Sequence, residues 1–282
     1  MSAVPIRVDA FGAAAPRSLR DALARRQPHL AAAAELALLA ILPCLVALAL
    51  DERTVNGISV WVKPIKFLLS FAIYWATLAW AFGYLPAAAQ RTRAGRFVIH
   101  AAIIVGALEL AWLISAAAHG VPAHFNDGAI GWQLAYSAAG AGSVVLLAAI
   151  AVQGGMIARN PAVAQTQRWA FVAGALVASV GTLIVAGYLS AGTGHWVGGD
   201  PTDANGLPLL GWSRTGGDLR VAHFWSLHAQ QALPLFGLLL VRWGAPGARG
   251  AVVIAALAYS ALIAATFVQA LRGLPFLAFI GS

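Results

Sequence analysis

Seven apolar stretches, each about 20 to 25 residues long, leave this chain few folds to choose from. They run from Leu30 to Leu50, Val62 to Tyr84, Phe97 to Ala118, Trp132 to Met156, Trp169 to Ser190, Ala222 to Val241 and Ala251 to Leu271. A helix rises about 1.5 Å per residue and a bilayer's hydrocarbon core is about 30 Å thick, so each stretch is long enough to cross it. In lipid every backbone N–H and C=O must be satisfied within the segment, which selects helices over open sheets. Only 10% of the residues are charged and 60% are hydrophobic, with a mean hydropathy of +0.78; soluble domains carry about 25% charged residues. The expectation is an all-α, polytopic transmembrane helix bundle of about seven spans. Residues 1–29 form a basic tail ahead of a single membrane domain over 30–282, with a long connection at 191–222.

Orientation follows from the arginines. With the N-terminus in the cytoplasm, the inner segments hold twelve of the eighteen Lys and Arg residues and the outer ones hold six. Cytoplasmic loops carry the excess of positive charge, so the expected arrangement has the N-terminus inside and the C-terminus outside, in a bacterial inner membrane. The net charge of +8 is then a topology signal, and nucleic acid is not an expected partner; the lipid bilayer is. Trp61, Trp132, Trp169, Trp196, Trp212 and Trp243 fall near the ends of the stretches, where an aromatic belt would lie. Pro16 to Arg26 is either a short surface helix on anionic lipid or disordered. Gly140 to Ser143 is either a close-packing point or a kink.

The polar residues are distributed unequally. The inner connections are short and basic, whereas the outer ones carry Asp51–Gly57, His119–Gly128 and the long Ala191–Ala222 segment. Five of the seven histidines (His119, His124, His195, His223, His228) lie at or near the outer side, joined by Asp127, Asp200, Asp203 and Asp218. Around Trp212–Pro234 a polar approach runs directly into an apolar helix bearing His223, Ser226, His228, Gln230 and Gln231. Polar groups inside hydrocarbon are costly and mark cavities, partners or cofactors.

Several chemistries fit those residue types. A transition metal (zinc, copper or iron) would draw ligands from His119, His124, His195, His223 and Asp218. His119 with His124, and His223 with His228, are five apart, so neither pair chelates from one helical face and the ligands must come from separate segments. Haem b is the weaker cofactor reading, since His228 and His100 sit at unmatched depths. A retinal Schiff base needs a lysine in a helix, and the final stretch has none. Lys63 and Lys66 enter the second stretch on one face; Lys63 is expected to snorkel to headgroups, and Lys66 either snorkels or pairs with the intramembrane Glu109. Glu109 or His228 would move protons, while Lys63, Lys66, Arg214, Arg220 and Gln230 would hold a small-molecule or lipid-soluble substrate. Asp218 is also a helix N-cap candidate.

At Trp61-Val-Lys-Pro-Ile-Lys-Phe-Leu-Leu-Ser70, Ala123-His-Phe-Asn-Asp127, Gly192–Asp200 and Trp212–Pro234 the chain resembles a family of bacterial polytopic inner-membrane proteins. That resemblance covers most of Ser59 to Leu240 and brings no activity with it. Three functions remain in view: a metal- or cofactor-assisted membrane enzyme or redox protein, a small-solute or ion carrier using Glu109, and a non-catalytic accessory subunit.

Overall fold

A computed structural model describes residues 16–126 and 128–277. Asp127 and the tail up to residue 15, which carries Arg7, therefore lie outside the described residues. Among the described residues seven helices are long and apolar enough to cross a membrane, and the protein is an all-α, multi-pass membrane protein. They are α2 (Pro28–Leu50), α3 (Val62–Phe82), α4 (Arg93–His119), α5 (Ile130–Ala158), α6 (Gln165–Ala191), α7 (Leu219–Arg242) and α8 (Ala248–Leu271). Ahead of them α1 (Leu19–Arg26) resolves the open reading of the N-terminal segment: it is a short helix capped by Ser18, whose hydroxyl accepts from the Asp21 N–H. Gln27 separates it from α2 and caps the latter by accepting from the Leu30 N–H at 2.7 Å. Helix α5 is continuous through Gly140–Ser143, and Gly142 sits against Val105 of α4, so close approach wins there over a break.

Neighbouring helices in sequence are neighbours in space, and α6 with α7 forms the most extensive pair. Its closeness comes from missing side chains. A Cβ on Gly174 would lie 3.0 Å from the Ala229 carbonyl and 2.9 Å from Pro234, and one on Gly237 would overlap Ala170. Without a hydrophobic force between helices in lipid, such backbone approach and interhelical hydrogen bonds supply the cohesion. Tyr74 donates to the Leu146 carbonyl (3.0 Å), Trp75 to that of Ala102 (2.9 Å), Gln153 to that of Leu78 (3.0 Å) and Gln167 to that of Pro234 (3.0 Å). Three helix pairs, α3–α5 (twice), α3–α4 and α6–α7, are thus tied through main-chain oxygens.

The two ends of the bundle differ. At one end the connections are short. At the other lie the α2–α3, α4–α5 and α6–α7 connections, and this is called the loop end below. The α2–α3 hairpin pairs Thr54–Val55 (β1) with Ile58–Ser59 (β2). The long α6–α7 connection is not structureless: Trp196–Val197 (β3) pairs antiparallel with Gly217–Asp218 (β4). Trp212, expected in the aromatic belt, is instead buried against Phe224 and Phe276. It anchors the returning loop. Trp169 and Trp243, at the opposite end, are exposed as a belt requires.

Candidate functional site at the loop end

Two groups of polar side chains meet at the loop end, and only one of them is saturated. The saturated group is built on Asp218. This residue closes the β3–β4 ribbon and caps α7, its carboxylate accepting from the Arg220 N–H at 3.0 Å and from the Ser213 N–H at 2.9 Å. Two residues on, the Arg220 guanidinium turns back to Asp218 (2.6 Å), reaches Asp203 (2.8 Å) and donates to the Gly211 carbonyl (2.7 Å). His195 meets the same Asp203 carboxylate at 3.1 Å. Burial works to raise the Asp203 carboxyl, yet its contacts with His195 and Arg220 together hold it below the ordinary carboxylate range. Burial lowers His195 below the usual imidazole value, and its Asp203 partner offsets only part of that. Lys66 donates to the Leu210 carbonyl at 2.9 Å. Arg220, Lys66, Asp218, Asp203 and His195 therefore staple the long loop down.

The unsaturated group lies beneath it. Glu109 is only 9% exposed, and its Oε2 has no hydrogen-bond partner. It stands ten residues before His119 on α4, roughly 15 Å from that end at 1.5 Å per residue. The cation it interacts with is Lys63, across a gap with no direct ion pair. His124, on the α4–α5 connection, is enclosed by the rings of Trp112, Tyr136 and Phe67, with centroids 5.1, 5.3 and 6.0 Å away. Its Nδ1 is buried without a partner, as are His223 Nδ1 and Trp112 Nε1. Burial, with Lys63, His223 and His195 nearby, holds His124 well below the usual imidazole value, so it is neutral. Buried polar atoms are nearly always bonded in folded proteins. The four orphans come from α4, α7 and one connection; Lys63 acts on both Glu109 and His124, Trp112 packs on His124, and His223 acts on His124.

Several expectations need correction. Lys66 does not pair with Glu109, because its long stem runs to the loop carbonyl, and Lys63 supplies the counter-charge. Lys63 does not snorkel to headgroups either: it is half-buried, with Arg220, Asp203, Glu109 and Lys66 as its charged neighbours. His119 stays outside, exposed, with its ring nitrogen at 2.8 Å from the Ser115 carbonyl. Arg214 is exposed on the loop. Among the described residues no group of three or more His, Cys, Asp and Glu side chains is arranged to hold a metal. The expected ligand set His119, His124, His195, His223 and Asp218 is divided, since His195 and Asp218 are spent in the Arg220 network and His119 on its own helix. His228 packs on Phe224 at 4.2 Å.

Further along α7, Gln231 donates to Thr77 of α3 at 3.1 Å, while Gln230 Oε1 and Gln231 Oε1 remain unpartnered. Thr182 and Gln167 of α6 add an orphaned hydroxyl and an orphaned carbonyl oxygen. Sequence reading missed Trp112 and Phe67. Both were within reach of a spacing argument: Trp112 is three after Glu109 and Phe67 four after Lys63, so each shares a helical face with a charged residue. Tyr136 had no such signal, because it meets His124 only through the fold. No protein family, curated protein or solved structure matches this chain.

Proposed function

We propose that the protein is a carrier that takes a small polar solute into the loop-end site, with Glu109 as the group that gains or loses a proton when the solute arrives. The observation behind this reading is the set of buried atoms without a partner near the loop end: Glu109 Oε2, His124 Nδ1, His223 Nδ1 and Trp112 Nε1. A carboxylate buried in a membrane helix is expensive and is kept where it works. The orphaned oxygens of Gln230, Gln231, Thr182 and Gln167 extend the polar lining along α6 and α7, away from the loop end. A path favours that continuation more than a closed reaction pocket does. The metal-assisted enzyme suggested by the histidines has no assembled ligand set among the described residues. The arginine distribution supports an arrangement with the loop end outside the membrane, and in that arrangement the solute would enter from that side.

The test uses the full chain in proteoliposomes loaded with a pH-sensitive dye. A panel of small polar solutes is added outside, and solute uptake and internal pH are followed together. At least one solute should enter with an accompanying proton movement, and Glu109→Gln should abolish both. A panel that moves neither solute nor protons through the wild-type protein would overturn the proposal, as would full uptake by the Gln variant.

A further inference from the structure

The end of the bundle opposite the loops carries a charge imbalance that contacts within the chain do not relieve. Among the described residues it holds four arginines around α1, three at the α3–α4 connection, two at α5–α6 and two at α7–α8, against the carboxylates of Asp21 and Glu35. Both carboxylates are already taken, Asp21 by Arg25 at 3.0 Å and Glu35 by Arg20 at 2.7 Å. Arg26 is spent on the Trp80 carbonyl. Arg91, Arg93, Arg96, Arg242 and Arg249 are exposed and make no side-chain hydrogen bond or ion pair among the described residues. Arg168 Nε is buried without a partner. The parts belong to one surface: Gln90 donates to the Arg26 carbonyl and Asn160 to that of Tyr84, tying α1, the α3–α4 connection and the end of α5 together. Helices α4, α6 and α8 also begin here, none with an acidic residue in its first turn, while Arg93 and Arg249 occupy first turns. A helix N-terminus is the positive end of the dipole, so these arginines add to its charge where an anion would offset it.

The residues beside the arginines choose the source of that anion. Arg20 adjoins Leu19, Arg96 adjoins Phe97, Arg168 adjoins Trp169 and Arg242 adjoins Trp243, and all four apolar side chains are exposed. A soluble polyanion would leave them in water. The boundary of a bilayer takes both kinds of side chain, with large rings at the headgroup level and basic residues drawn to anionic lipid. We propose that this face binds the headgroups of anionic phospholipids in the adjoining leaflet and prefers them to zwitterionic headgroups on the same acyl chains. Every cation on the face is an arginine, since the only lysines are Lys63 and Lys66 at the other end. A guanidinium meets phosphate oxygens through two parallel N–H···O bonds, which a lysine ammonium, a point charge, does not.

The inference is independent of the carrier reading and is tested on the lipid shell alone. The full-length protein is reconstituted in vesicles of phosphatidylcholine with phosphatidylglycerol, and spin-labelled lipids of each headgroup, with identical chains, report their relative affinity for the protein. One basic residue near an anionic surface is worth about fivefold in affinity. The phosphatidylglycerol label should therefore be held about fivefold more tightly at low salt, and the two labels should converge at about 1 M salt, where charges are screened within about 3 Å. Arg91→Gln with Arg93→Gln and Arg96→Gln should lower the preference, as should Arg242→Gln with Arg249→Gln. The corresponding lysine variants should keep part of it. Arg272→Gln, exposed at the loop end, should leave it unchanged. Unaltered size-exclusion profiles identify the variants that fold, and the salt series on the wild-type protein needs no variant. Equal affinities for the two labels at low salt would overturn the proposal. So would a preference that Arg272→Gln lowers as far as the other variants do, because net charge alone would then explain it. Single-stranded DNA added to the protein in phosphatidylcholine nanodiscs tests the other occupant: binding that survives physiological salt and is lost in the same variants would give the face to a soluble polyanion.

Discussion

Removing the Arg220 guanidinium is the sharpest perturbation of the loop end. In Arg220→Met the stem survives, but Asp218, 1% exposed, and Asp203, 7% exposed, lose their cation. Breaking a buried ion pair by deleting one partner costs about 3–5 kcal/mol, because a charge is left without compensation. Here Asp218 keeps the N–H groups of Ser213 and residue 220, and Asp203 keeps His195, so about 3 kcal/mol is the appropriate end of that range. The loss falls on the α6–α7 connection, whose attachment depends on this node. Trypsin cleavage after Arg214 reads it directly: that side chain is exposed, but Trp212, Ser213 and Gly216–Leu219 around it are buried, so cutting requires local opening. Where opening is fast relative to cleavage, the rate tracks the open population, and about 3 kcal/mol corresponds to roughly a hundredfold acceleration. Combining Arg220→Met with Asp218→Asn should recover part of it, since contacting residues do not add. A cleavage rate within twofold of wild type would show that the network does not hold the loop.

Two further perturbations follow. Acidification should loosen the loop end: His195 and His124 have folded-state values below their unfolded ones, so their contribution is complete above about pH 6.5 and is lost as pH falls below it. Asp203, also depressed, holds its contribution until the pH falls through the lower carboxylate range; His195→Gln should flatten the first phase of a proteolysis-against-pH profile and spare the second. In the α6–α7 seam, Gly237→Val should lower thermal stability in detergent by about 1–3 kcal/mol through overpacking against Ala170, whereas Gly140→Ala, with nothing within 4 Å, should be neutral or stabilising by up to about 1 kcal/mol.

The membrane fold was legible because its cause is local: length and apolarity of each stretch decide it, and the observed helices differ from expectation mainly by a few residues at their ends. Helix α7 begins at Leu219, three residues before the apolar run, because Asp218 caps it and Arg220 folds back onto the cap. The choice of Lys63 over Lys66 as the partner of Glu109 was not legible. It depends on the stagger of α3 against α4 and on a loop carbonyl 144 residues away from Lys66. The histidines misled for a related reason. Their residue types advertise metal binding, but whether each is spent on a carbonyl, a carboxylate or an aromatic surround is settled by long-range packing. Arg220 and Asp218 were singled out as substrate and metal residues, whereas the contacts they make in the structure secure the loop.

Glu109 separates structure from function most cleanly. The buried Tyr74, Trp75, Gln153 and Gln167 each tie one helix to a neighbour's carbonyl, so each has a structural reason to be there. Glu109 ties nothing: its Oε2 faces no donor, and its attraction to Lys63 is exerted across a gap. A residue that costs desolvation and returns no contact is retained for what arrives from outside. A variant with both charges replaced, Glu109→Leu together with Lys63→Leu, should therefore fold and, unlike Gln167→Leu, should not lose stability; exchanging a buried charge pair for packed apolar side chains is often neutral or stabilising by about 1–4 kcal/mol. Solute uptake should vanish in the same variant. Thermal unfolding in detergent beside uptake in liposomes separates the two effects, and an unstable double variant would make the charges part of the scaffold, removing the reason to seek their ligand.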